Sequence, residues 1–151
     1  IDNALKIKDV ISTFNDIEIK YEVMDASKSG SLSYINGKWV MSINSNHNIK
    51  RQRFTMAHEL GHYMLHGEET VAYAHAAPGE RIPDEINAER QADIFAAELL
   101  APVHLVDETS DYLVSKHFGI TLGMARSQMN QLRRVQKRHQ SKNRRKKKEN
   151  G

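Results

Sequence analysis

His58-Glu59-Leu60-Gly61-His62 lies inside a run whose apolar and small residues, Phe54, Ala57, Leu60, Gly61, Met64 and Leu65, recur at spacings of three and four. That period belongs to a helix with one buried face. Lys50–His66 is therefore expected to be helical, with Gly67 as a left-handed terminator. A helix buried on that scale rarely carries two imidazoles and a carboxylate without partners, because unpaired polar groups are costly away from water. The rest of the chain must supply those partners. A spacing of four puts His58 and His62 on one face, roughly 5–6 Å apart at Cβ, so that a nitrogen of each can reach one zinc ion at about 2.0–2.1 Å. Glu59 is rotated by one residue and need not be a ligand. It is placed to act as general base toward water at an open metal position. H-E-x-x-H also occurs by chance on solvated helices, but the apolar flanks here weigh against that reading.

The chain has no cysteine, so further ligands must come from His, Asp or Glu. The second strong helical pattern covers Asp84–Leu100, with Ala88, Ala92, Phe95, Ala96 and Leu99 on one face, Asp84 as cap and Pro102 as stop. Glu89 and Asp93 share a face that borders this small apolar stripe. Glu89 as third ligand, and Asp93 as hydrogen-bond partner of a ligand histidine, with His58 preferred, form a coherent set. Glu85, Glu98 and His75 compete for the third position. Glu85 has a plainer role at the helix start, and Glu98 falls on a different face. Two neutral histidines and one carboxylate leave a fourth position open, which separates catalytic from structural zinc. His66 as a fourth ligand would close that position, so a capping or packing role is preferred for it.

The remaining patterns predict an α+β chain. Leu5–Phe14 fits a short amphipathic helix, and Ile17–Met24 alternates as a half-buried strand. Ser31–Ile35 and Lys38–Ile43 flank Asn36-Gly37, a strong hairpin signal. A small antiparallel sheet packed on the helices is the expectation. Glu68–Ile82 has no clear period, as befits a lid, a binding loop or a disordered segment. Ser110–Phe118 and Leu122–Leu132 predict two further helices, with Gly119 as left-handed cap and Thr121 as N-cap. This pair, over about residues 110–132, is helix-turn-helix-like, yet such pairs are more often packing elements.

Charge divides the chain. Through Leu132 there are 12 Lys and Arg against 18 Asp and Glu, a net of −6; from Arg133 to Gly151 there are ten against one, a net of +9. Residues 1–132 are expected to form the domain and 133–151 a basic tail, disordered or a frayed helical extension. The Arg133–Lys148 stretch could contact nucleic-acid phosphates weakly. It holds no Phe, Tyr or Trp, so base stacking is not supported. No apolar run is long enough to span a membrane, and a cytoplasmic location is the default expectation.

The blocks Arg53-Phe54-Thr55-Met56-Ala57-His58-Glu59-Leu60-Gly61-His62-Tyr63 and Asn87-Ala88-Glu89-Arg90-Gln91-Ala92-Asp93-Ile94-Phe95-Ala96-Ala97-Glu98-Leu99-Leu100-Ala101-Pro102 resemble the ImmA/IrrE family of metallo-endopeptidases. The resemblance covers roughly residues 17–132. It implies a zincin-like fold with one Zn2+ on His58, His62 and Glu89, Glu59 as general base, and a protein substrate, a DNA-binding helix-turn-helix repressor. In such folds an edge strand pairs with the substrate; Lys38–Ile43 is the candidate here. Tyr73, His75 and His104 are candidates for a second donor to the oxyanion. The alternative is a DNA-associated or toxin–antitoxin-type regulatory protein whose metal site is structural or silent.

Overall fold

Asn36 and Gly37 both take positive φ, 51° and 80°, the backbone that a two-residue hairpin demands. They join β2 (Gly30–Ile35) to β3 (Lys38–Asn44), antiparallel with Ser33 opposite Val40. In this computed structural model, which describes residues 4–74, 85–107 and 110–151, β1 (Ile17–Glu22) pairs with β3 in parallel, Ile17 opposite Trp39. The sheet is thus mixed, in the order β1-β3-β2, and not the antiparallel sheet expected. The segment after β1 does not turn back on it but carries the chain past β3 to the far side. Asn44, fully buried, fixes that crossing: its amide donates to the carbonyls of Asp25 and Lys28 and accepts from the backbone N–H of Asn46.

The order also corrects the candidate substrate strand. Lys38–Ile43 lies in the central strand. Met41 and Ile43 have no exposed surface, as suits the most apolar strand of the three. The edge beside the helices is β2.

Helix α1 (Ile7–Ser12) precedes the sheet, and α2 (Ile49–Ala74) follows it. The expected stop near His66 is a kink instead. His66 has φ −131° and ψ 19°, and helix resumes beyond it. Helix α3 (Glu85–Leu100) lies against α2. A Cβ on Gly61 would lie 3.2 Å from the Ala92 Cα and 3.0 Å from the Phe95 ring. The absent side chain lets the two helices approach closely. Met56, Leu60, Ala96 and Leu100 continue this contact into a core shared with Ile43 and Ile120.

Ser110 caps α4 (Asp111–Phe118), accepting from Leu113 N–H at 3.2 Å, and Gly119 ends it at φ 63°. Arg53 on α2 donates to the carbonyls of Leu5, Phe118 and Gly119, tying three parts of the chain together. Thr121 caps α5, which runs from Leu122 to Glu149. Gln128 is buried on α5 and donates to the Ala101 carbonyl at 2.8 Å, and Arg126 pairs with Asp111 at 2.7 Å. Gln128 is thus committed to packing and Arg126 to an exposed ion pair that joins α4 to α5. The segment from Arg133 onward continues α5 as helix, with every residue exposed. Among the described residues no helix is long and apolar enough to cross a membrane.

Candidate metal centre

The close approach of α2 and α3 at Gly61 sets up one convergence point. His58 and His62 project from α2 one turn apart, with their Nε2 atoms 3.0 Å apart. From α3, Glu89 Oε1 lies 2.9 Å from His62 Nε2, and Oε2 lies 3.1 Å from His58 Nε2. Asp93, one turn along α3, accepts from His58 Nδ1 at 2.8 Å.

Hydrogen bonding on the far side of each ring fixes what faces the centre. A neutral imidazole has one N–H and one lone pair. His58 spends its Nδ1–H on Asp93, so its Nε2 presents a lone pair. His66 Nε2 donates to Gln91 Oε1 at 2.8 Å, which leaves the His66 Nδ1 as acceptor. His62 Nδ1, 3.2 Å away, must then donate to it, and the His62 Nε2 also presents a lone pair. Two lone pairs and a carboxylate therefore face one another at about 3 Å. Without a cation between them this arrangement is repulsive. Donors placed tetrahedrally at 2.0–2.1 Å from zinc are separated by about 3.3 Å; the two imidazole nitrogens are 3.0 Å apart, and each lies about 3 Å from a different oxygen of the Glu89 carboxylate. The residues fit a divalent ion bound by His58, His62 and Glu89.

Burial shapes the charge states. It holds the His62 imidazole below its usual range, with Glu89 opposing, which favours the neutral, ligating form. Glu59 is 8% exposed. Burial, with a smaller contribution from Glu89 and partly offset by His58, pushes its carboxyl up to about 7. A carboxyl at that value can take and return a proton near neutral pH.

These groups line a cleft of about 480 Å³ whose opposite wall is Ser29, Gly30, Ser31 and Leu32 at the start of β2. Gly30 is required there, since a Cβ would fall 2.4 Å from the Ser42 carbonyl oxygen and 2.7 Å from Thr55 Cγ2. The chain matches the pattern of the IrrE N-terminal-like domain, Peptidase_M78, over residues 15–130. It belongs to this ImmA/IrrE metallopeptidase family. A curated relative in it is Metallopeptidase ImmA of Bacillus subtilis (strain 168), 29% identical over 119 residues, covering 72% of this chain and 68% of that protein. Among solved structures, a Mycobacterium tuberculosis transcriptional regulator shares the fold at TM-score 0.57 and 13% identity. The match covers 79% of this chain but spans only 38% of that regulator.

Other candidates in this family member fall elsewhere. His104 is exposed on a 3-10 turn (Val103–Leu105) and does not line the cleft. Tyr73 belongs to α2 beyond the kink, but its side chain, like that of Glu85, lies outside the described residues, as does the whole of His75. Glu98 accepts from Val103 N–H at 3.0 Å and serves the chain turn after α3. The partnership of His66 and Gln91 was not anticipated from the sequence. Its signal was available: His66 continues the i, i+4 row of His58 and His62, and Gln91 is two residues from Glu89.

Proposed function

We propose that this protein is a zinc-dependent endopeptidase that cleaves a regulatory protein, a helix-turn-helix repressor, with Glu59 as general base. The observation that carries the reading is the convergence of His58, His62 and Glu89 on one point beside a buried carboxyl, in a cleft walled by a sheet edge. His58, His62 and Glu89 would hold the ion. When bound, zinc supplies Lewis-acid polarisation of a carbonyl and lowers the pKa of water.

The chain's own groups do the rest. An extended substrate segment adds to the outer edge of β2, its backbone pairing from Ser29 to Leu32. That seats a peptide bond above Glu59. Glu59 takes a proton from the attacking water and passes it to the leaving amine. Asp93 and His66 hold the two imidazoles in the tautomers that ligation needs.

Co-expression of the wild type and Glu59→Gln with a candidate repressor tests this. Cleavage by the wild type alone supports it. A repressor held stoichiometrically and never cut, by protein that carries zinc, would favour the silent-site alternative.

A further inference from the structure

The extension of α5 carries ten basic side chains and one acidic one over residues 133–151, well apart in sequence from the metal centre. At 100° per residue, the seven basic side chains from Arg133 to Arg145 fall within about half of the helix circumference. Arg133, Lys137 and Arg144 lie toward one border, Lys142 at the other, with Arg134, Arg138 and Arg145 between. As far as Asn143 the opposite side is an uncharged polar row, Gln136, His139, Gln140 and Asn143, at spacings i, i+3, i+4 and i+7; in the last turn Lys146 and Lys147 fall on that side and Lys148 on the basic half. Val135 is the only aliphatic residue between Arg133 and Glu149.

This composition rules out several partners. Without an apolar face the helix cannot insert into a lipid interface, and it has no heptad seam for a second helix. Without aromatic rings it offers no stacking platform for unpaired bases. What remains is a straight basic rod, about 25 Å long over 17 residues, attached to a body of net charge −6. It suits a regular double row of phosphates. An α-helix of about 10–12 Å diameter enters the B-DNA major groove, about 12 Å wide, whereas the major groove of duplex RNA is deep and narrow.

We propose that the α5 extension, residues 133–149, is a sequence-independent docking arm for double-stranded DNA, held by phosphate contacts of its basic face. Its role is separate from the metal centre: it would keep the protein near DNA, where a DNA-binding substrate resides.

Fluorescence anisotropy of the full chain on a 30-base-pair DNA duplex tests this. With four to five phosphates neutralised, the slope of log K against log salt is about −4, a loss of at least a hundredfold between 50 and 200 mM salt. The quadruple variant Arg134→Gln, Lys137→Gln, Arg138→Gln, Arg145→Gln should bind at least tenfold more weakly with a shallower slope. Gln136→Ala with His139→Ala, on the other side, should stay within twofold. Glu59→Gln should bind as the wild type does, so loss of peptidase activity and loss of DNA binding are distinguishable. Circular dichroism confirms that the variants keep the helix. Unchanged binding by the quadruple variant, or equal affinity for duplex RNA, for single-stranded DNA or for a polyglutamate peptide, would overturn the proposal.

Discussion

His66 stands one turn beyond His62, its Nδ1 3.2 Å from the Nδ1 of His62, at the residue where α2 leaves helical geometry. The kink is thus where a second imidazole, itself bonded to Gln91, meets the back of a candidate ligand. Replacing His66 by Phe keeps a ring but removes the acceptor that holds the tautomer of His62. Loss of such a partner typically costs 10–100-fold in metal affinity. Chelator competition should show a loss in that range for His66→Phe, and a smaller one for Gln91→Leu. Unchanged affinity in both would make the contact incidental.

Gly61 sets the distance between the two ligand-bearing helices. Gly61→Val would drive side-chain carbons into the Ala92 backbone, so α3 and Glu89 must retreat. Zinc affinity should fall at least tenfold. Gly67→Ala is the control, since among the described residues a Cβ there comes no nearer than 3.8 Å to the Trp39 ring; its zinc affinity should be that of the wild type.

Glu59 has a cost as well as a use. Its carboxyl is raised to about 7 by burial, against an ordinary value of about 4.3 when unfolded. The folded metal-free protein therefore binds more protons than the unfolded chain between those values, and stability falls as pH rises through that window. The penalty is fully present above about pH 7 and amounts to about 4 kcal/mol at most. Metal-free Glu59→Gln should be more stable than metal-free wild type at pH 8. The difference should vanish near pH 4, as thermal melts at the two pH values will show.

Arg53 is a buried cation whose three carbonyl acceptors belong to Leu5, Phe118 and Gly119. Arg53→Met strands those carbonyls and should cost about 3 kcal/mol, seen as a Tm fall of roughly 6–12 °C. Zinc stoichiometry should not change, because Arg53 does not reach the cleft.

Local signals made much of this fold legible. Asn36-Gly37, Gly119 and Thr121 are each read from chemistry that acts within four residues, and each does what its side chain or backbone freedom suggests. Strand order was not legible. Whether β1 turns back onto β2 or is bypassed depends on Asn44, which holds the 23–29 crossing from sixteen to twenty residues away. The end of α2 was misread because Gly67 carries a terminator's residue type, yet the left-handed turn was not needed once His66 absorbed the bend. At the site, the i, i+4 rows on two helices exposed His58, His62, Glu89 and Asp93 as a set. The link between His66 and Gln91 needs the crossing of α2 with α3, which one-dimensional spacing does not carry.

The account rests on one ion shared between two helices, so metal content per chain is the most direct measurement. Purified wild type and Glu59→Gln should each bind one zinc per chain, and Glu89→Ala should lose it under the same chelator challenge. Zinc retained at full stoichiometry by Glu89→Ala, or absent from the wild type after reconstitution with excess metal, would contradict the account.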